Sequence, residues 1–186
     1  MSKFATMAKD ISFHITDIFI NSVKAGATEV RVEVCSSADS FWFRISDNGC
    51  GMSPHRLEEI VSAVSSEQSS GWGVILLRRS VERCGGELRI DSTEGHGTVV
   101  KARFPMGGCC SLEVGDLAAT LAMILTGTPA VRVALRLAAR GGEFEISTSD
   151  LESIAQGLPL SHTRVATLLR ELLTAKVNAL FEQHQC

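Results

Sequence analysis

The chain contains 186 residues, of which 45% are hydrophobic and 21% charged. A chain of this length can bury roughly two-thirds of its unfolded surface, so it needs no metal or disulfide to build a core. Its 18 Lys and Arg residues against 21 Asp and Glu residues give a net charge of −3, which argues against nucleic acid or an anionic membrane as a partner. With no signal-peptide pattern and no apolar run of ~18 residues, we expect a cytoplasmic protein whose six cysteines are free thiols.

The first half of the chain predicts an α+β domain. Apolar side chains at helical spacing predict a first helix, and alternating Val and Phe residues predict the first two strands. The predicted elements are a helix at 10–25, strands at 28–35 and 41–45, helices from 53 to about 64 and from 71 to about 83, and strands at 88–90 and 99–104. Such an order favours a two-layer sandwich with helices on one face of a mixed sheet.

The second half predicts a smaller unit. A Pro, Gly and Cys segment at 105–110 marks the expected boundary between domains at 1–105 and 106–186. The remaining pattern indicates a helix at 112–125, a β-hairpin around 131–146, a short helix from 149 and an amphipathic helix at 161–181. We therefore expect a small C-terminal helix–β-hairpin–helix segment.

Three polar residues lie on one edge of the first helix. Asp17, Asn21 and Lys24 are spaced by four and three residues, so they share a face. The amide oxygen of Asn21 suits Mg²⁺, and Lys24 supplies a charge for a phosphate. The carboxylate of Asp17 could accept a proton from an attacking water or hydroxyl. The alternative is a solvated polar face.

Two glycine-rich segments follow. In the first, Asp47 could accept a hydrogen bond from an exocyclic amine, Gly49 and Gly51 allow the backbone close to a planar ring, and Met52 offers an apolar wall. A plain turn is the alternative. In the second, Gly71-Trp72-Gly73-Val74 begins a helix, where backbone N–H groups and the helix dipole favour an anion. A tight loop-to-helix junction would show the same pattern.

Taken together in this order, the motifs resemble the GHKL superfamily of ATPases, which includes histidine kinases, gyrase B subunits, heat-shock chaperone ATPases and MutL-type proteins. The resemblance spans roughly residues 10–105. The strings NSVKAGAT from Asn21 and SDNGCGM from Ser46 are close to the MutL forms. The resemblance implies a Bergerat-type fold that binds ATP and Mg²⁺.

The resemblance also implies roles for single residues. Asn21 corresponds to the Mg²⁺ ligand, Asp47 to the adenine-binding Asp, and Asp17 to a position where hydrolysing members carry a catalytic Glu. Segment 65–70 corresponds to the ATP lid. The other implied nucleotide contacts are Lys24, Gly49, Gly51, Met52, Gly71, Trp72, Gly73, Val74 and Thr98.

Some features depart from the family pattern. Asp17 is one methylene shorter than Glu, and the lid segment carries no Lys or Arg. The sequence therefore leaves two functions open: an ATPase or kinase acting on a partner protein in signal transduction, or a non-catalytic module that senses nucleotide. The layout is similar to small stand-alone ATP-binding proteins of anaerobic bacteria, some of them encoded beside iron-hydrogenase subunits, which suggests a link to a redox complex.

Overall fold

The computed structural model describes residues 10–62, 72–106 and 112–181. Within these ranges the helices and strands follow the order that the sequence predicts. The helices are α1 (Ile11–Lys24), α2 (Pro54–Ser62), α3 (Trp72–Arg83), α4 (Leu117–Thr126), α5 (Thr148–Ile154) and α6 (Thr163–Phe181). The strands are β1 (Glu29–Ser36), β2 (Ser40–Asp47), β3 (Glu87–Thr93), β4 (Gly97–Pro105), β5 (Arg132–Ala139) and β6 (Gly142–Ser147).

All six strands belong to one mixed sheet in the order β3-β4-β2-β1-β5-β6. Neighbouring strands are antiparallel except β1 and β5, which run parallel. Parallel neighbours need a long crossover, and the chain between β1 and β5 contains β2, α2, α3, β3, β4 and α4. The two halves of the chain therefore share one sheet.

The core lies between one face of this sheet and the helices. Val32 of β1, Phe43 of β2 and Leu137 of β5 are fully buried, because side chains alternate between the two faces of a strand. Ile11, Ile15, Ile18 and Phe19 of α1 pack into the same cluster. The predicted two-layer α+β architecture is confirmed.

The prediction for the start of α4 was wrong. The apolar pattern suggested a helix from 112, whereas α4 begins at Leu117. Gly115 has a φ of +75°, which a right-handed helix does not allow, and the Asp116 side chain caps the helix by accepting from the Ala119 N–H. The preceding segment is extended, and Glu113 forms an isolated bridge with Asp10.

Three further expectations concern the second half, the lid and the cysteines. The proposed boundary near residue 105 stays a prediction, although α4 packs against α1 and β5 extends the first half's sheet. The expected lid at 65–70 lies outside the described residues.

Cys35 and Cys50 are free thiols as expected, whereas Cys84 is disulfide-bonded, so that expectation was wrong for Cys84. None of the helices in the described ranges has the length and apolarity that a membrane crossing requires.

Candidate nucleotide-binding site

A cavity of about 360 Å³ lies where α1 faces the end of β2 and the β3–β4 hairpin. This volume falls within the range of small-molecule sites. Seven of the residues singled out from the sequence line the cavity: Asn21, Lys24, Asp47, Gly51, Met52, Val74 and Thr98. The rest of the lining is mainly apolar, with Ile18, Ile60, Ile90 and Val100 among its members.

Asp47 is the carboxylate of this cavity. Its Oδ1 accepts from the Gly49 N–H at 2.9 Å and from the Thr98 N–H at 3.3 Å. Its Oδ2 accepts from the Ser22 hydroxyl at 2.7 Å. Since an ionised carboxylate offers about four acceptor sites, these three bonds fix the side chain and still leave capacity for a ligand amine.

Antiparallel pairing explains why Thr98 is beside Asp47. The two residues are direct partners in the β2–β4 register, so the start of β4 lies next to the end of β2. The Thr98 hydroxyl lies 2.9 Å from that of Ser92 on β3. A row of three polar groups thus crosses strands β2, β4 and β3 at the edge of the cavity.

Two glycines allow the loops at this end of the sheet to pack closely against each other. Gly51 has a φ of +63°, and a Cβ there would lie 2.0 Å from the Thr93 carbonyl oxygen. Gly97 has a φ of +90°, and a Cβ there would lie 1.9 Å from the Asp47 carbonyl oxygen. The glycines therefore bring the loop after β2 against the β3–β4 turn. Gly49 does not line the cavity and contributes its N–H to Asp47.

The three polar residues on the edge of α1 do not all line the cavity. Asn21 and Lys24 line the cavity, and Asp17 does not. The Asp17 carboxylate lies against α3, where a Cβ on Gly73 would come 1.3 Å from its Oδ2. That oxygen is buried and has no hydrogen-bond partner among the residues that the structure describes. Burial raises the pKa of Asp17 above its ordinary value, and the charge of Lys24 opposes the rise.

The second glycine segment is only partly described. Gly71 lies outside the described residues, and Trp72 is the first residue of α3. Gly73 packs against Asp17, and Val74 reaches the cavity lining. Of this segment, Val74 is thus the one residue in the described part of the chain that the structure brings to the cavity.

Another buried polar side chain of α1 faces α3. His14 is fully buried, and its Nε2 lies 2.9 Å from the Ser80 hydroxyl. Its Nδ1 has no hydrogen-bond partner within the described part of the chain. Burial lowers the pKa of His14 to about 4, with Asp10 opposing and Arg83 reinforcing the change. His14 is therefore neutral near pH 7 and belongs to the helix interface, away from the cavity lining.

Sequence reasoning missed Ser22 and Arg56. Ser22 is buried on α1 at 3% exposure, and its hydroxyl holds Asp47. A Ser on an otherwise apolar helix face was the signal, because a buried hydroxyl needs a partner. Arg56 of α2 also lines the cavity, and no local pattern distinguished it from a surface arginine.

A family model for histidine kinase-, DNA gyrase B- and HSP90-like ATPases matches residues 8–108. The match covers more than half of the chain and includes the cavity. The protein belongs to this family of ATPase domains, as its fold and the position of Asp47 indicated.

The curated relatives that the chain resembles include histidine kinases. The chain is 26% identical over 90 residues to a probable C4-dicarboxylate sensor kinase of Bacillus subtilis (strain 168), which is 47% of this chain and 17% of that protein. It is 30% identical over 99 residues to the methanogenesis regulatory histidine kinase FilI of Methanothrix harundinacea (strain 6Ac), which is 49% of this chain and 11% of the relative. The similarity thus spans a small part of each relative.

Solved structures agree on the fold. The N-terminal domain of a DNA repair protein superposes with a TM-score of 0.55 at 14% identity, over 78% of this chain and 56% of the other. The MutL ATPase domain of Aquifex aeolicus, solved with ADP, superposes with a TM-score of 0.50 at 17% identity, over 80% of this chain and 69% of the other. At this level of identity the likeness concerns the fold.

Proposed function

We propose that the protein binds ATP with Mg²⁺ in the cavity between α1 and the β2–β4 edge. The observation that carries the proposal is Asp47, a carboxylate fixed by three hydrogen bonds in a cavity with largely apolar walls. A carboxylate can accept from an adenine amine, and the apolar walls suit the faces of a purine ring. The ADP bound to the similar MutL domain supports the same assignment.

Asn21 and Lys24 would serve the phosphates. The Asn21 side chain makes no hydrogen bond within residues 10–62, 72–106 and 112–181, so its amide oxygen is available to a metal. Those same ranges contain no group of three or more His, Cys, Asp and Glu side chains suited to a metal. One amide oxygen together with phosphate oxygens and water is a donor set that Mg²⁺ accepts. The ion, when bound, would neutralise phosphate charge.

The same site leads us to propose an ATPase or protein kinase that acts on a partner protein in the cytoplasm. The kinase names of the curated relatives support this direction. The proposed roles are Asp47 with Gly49, Gly51, Met52 and Thr98 for the base, and Asn21, Lys24 and the segment 71–74 for the phosphates. Asp17 is the candidate base for hydrolysis or transfer. A link to a redox complex, such as a hydrogenase, is the setting that we propose for the alternative, a nucleotide-sensing module.

Calorimetric titration with ATP and ADP, with and without Mg²⁺, tests the proposal directly. We expect Asn21→Ala to weaken binding in Mg²⁺ by about tenfold, the effect of losing one interaction with a charged group, and to change metal-free binding little. Ile20→Ala is the matched control, since Ile20 is an exposed neighbour on the same helix. Equal losses with and without Mg²⁺ would contradict the ligand role of Asn21, and no binding of either nucleotide would contradict the whole proposal.

One observation favours a second function, the non-catalytic nucleotide sensor. The Asp17 carboxylate packs against Gly73 and does not line the cavity, so no proposed base lies in the described lining. Phosphate release and partner labelling, measured for the wild type and for Asp17→Asn, separate the two functions. Turnover that falls in the variant supports the enzyme with Asp17 as its base. Nucleotide binding that raises the melting temperature without any turnover supports the sensor.

A further inference from the structure

A second cavity, of about 380 Å³, lies at the end of the sheet where β1 and β5 begin and β2 and β6 end. Four outward-facing residues form a row across these strands. Ser46 pairs with Arg31, Arg31 with Ala134, and Ala134 with Ser147. The small Ala134 side chain between Arg31 and Ser147 leaves a hollow that the two flanking strands border.

Two arginines border this hollow without an ion pair. Arg31 of β1 and Arg132 of β5 line the cavity, and neither guanidinium has a salt bridge or hydrogen bond within the parts of the chain that the structure describes. Other arginines on the same sheet face are paired: Arg44 with Glu33 at 3.0 Å, and Arg136 with Glu143 at 2.7 Å. Arg103 of β4, on the same face, also has no salt bridge or hydrogen bond among the described residues, but it lies outside the cavity. Arg31 and Arg132 are thus two unpaired guanidinium groups that lie together where the surface is concave.

The charges around the hollow select the class of anion. Glu29, the β1 neighbour of Arg132 in the register, also lines the cavity. Asp47 also lines the cavity, but its side chain lies on the opposite face of the sheet from Arg31, where Ser22 of α1 donates to its Oδ2. Two guanidinium groups facing one carboxylate leave an excess of a single positive charge, which suits a monoanion better than a phosphate dianion.

We propose that this cavity is a carboxylate-binding site, with Arg31 and Arg132 as the anion ligands. The guanidinium fork binds the two oxygens of a carboxylate in parallel, and the Ser46 hydroxyl in the lining can donate a further hydrogen bond. The cavity is larger than one carboxylate, so the group belongs to a larger molecule. Its source is either a free small carboxylic acid or an acidic side chain of a peptide.

Binding of two probes to the whole chain tests the site and distinguishes the sources. The probes are succinate and a short Glu-rich peptide, each titrated in the presence and absence of ATP and followed by nuclear magnetic resonance shifts. We expect Arg31→Ala and Arg132→Ala each to weaken binding by about tenfold, as expected for a hydrogen bond to a charged group. Saturation by succinate points to a small acid, whereas tighter binding of the peptide points to a protein partner.

Two further variants keep the test specific. Arg103→Ala removes an arginine of the same sheet face that does not line the cavity, and it should leave binding unchanged. Ala134→Leu fills the hollow without altering charge and should abolish binding, with circular dichroism confirming the fold. The proposal is overturned if Arg103→Ala weakens binding as much as Arg31→Ala, if Ala134→Leu binds normally, or if phosphate binds more tightly than both probes. Because succinate and the peptide are also titrated without ATP, the test of this cavity does not depend on whether the protein binds nucleotide.

Discussion

The buried polar groups at the two ends of α1 differ in whether they are hydrogen-bonded. Toward its C-terminus, Ser22 is bonded to Asp47, and Asn21 lines the cavity. Toward its N-terminus, His14 and Asp17 face α3, and each has one buried polar atom that finds no hydrogen-bond partner among residues 10–62, 72–106 and 112–181. A satisfied polar group fixes geometry, whereas an unsatisfied one costs stability. The comparison shows that one helix carries both a hydrogen-bonded edge at the cavity, the proposed binding edge, and an interface with α3 that contains unsatisfied polar atoms.

The largest expected effect comes from removing the carboxylate that orders the binding edge. Asp47→Ala should abolish binding of adenine nucleotide, since the ligand amine and the Ser22 and Gly49 donors all lose an acceptor, at about 3 kcal/mol or more. Titration calorimetry with ATP measures the loss. Asp91→Ala is the control, because Asp91 is an exposed carboxylate bonded to Arg89. Normal ATP binding by Asp47→Ala would remove the base-binding role from this residue.

The second prediction concerns the pH dependence of stability that the α1–α3 interface produces through His14. The pKa of His14 falls from 6.5 to about 4 on folding, so the unfolded chain binds the proton more readily than the folded one. The contribution of neutral His14 is complete above about pH 6.5 and is lost as the pH falls toward 4. It amounts to about 3 kcal/mol in the free energy of unfolding.

Urea unfolding at a series of pH values between 7 and 4 measures this dependence. The control is His14→Gln, which cannot be protonated and should show a shallower decline over the same range. The raised pKa of Asp17 acts in the opposite direction, because protonation relieves a buried charge, and it is present in both proteins. Identical slopes for the wild type and His14→Gln would contradict the prediction.

The third prediction concerns the contact between Asp17 and Gly73. A Cβ on Gly73 would lie 1.3 Å from Asp17 Oδ2, so Gly73→Ala must displace the carboxylate or α3. We expect a loss of about 2 kcal/mol, in the range of overpacked interiors. In an Asp17→Ala background the same substitution should cost little. A double-mutant cycle followed by thermal unfolding measures the coupling, and equal costs in both backgrounds would show that the two residues do not contact each other.

Local periodicity predicted the helices and strands that define the fold. It could not predict the long-range pairing of the strands. The alternation of Val30, Val32 and Val34 was sufficient for β1, since every second residue of a strand faces the core. The parallel pairing of β1 with β5 could not be predicted, because it joins segments about a hundred residues apart. The predicted start of α4 was wrong for a local reason, because the positive φ of Gly115 cannot be read from the spacing of apolar residues.

The candidate site divides in the same way. Motif spacing predicted Asn21 and Asp47, which the structure brings to one cavity. It also placed Asp17 on their edge, because helical spacing gives a shared face but not the neighbour that each residue meets. Asp17 meets Gly73 of α3, and that contact depends on how two helices pack. Ser22 was missed for the same reason, since its partner lies 25 residues away.

Ser22 therefore gives the smallest and sharpest test of the ordered end of α1. Ser22→Ala removes the hydroxyl that donates to Asp47 Oδ2 at 2.7 Å and leaves Gly49 and Thr98 to hold the carboxylate. We expect ATP affinity to fall about tenfold, which corresponds to about 1.4 kcal/mol for a hydrogen bond to a charged group. Ser12→Ala, at a buried serine of α1 bonded to the Val114 carbonyl, should alter stability and leave ATP affinity unchanged. If the two variants bind ATP equally well, Ser22 is a packing residue, and the order of the binding edge comes from the sheet alone.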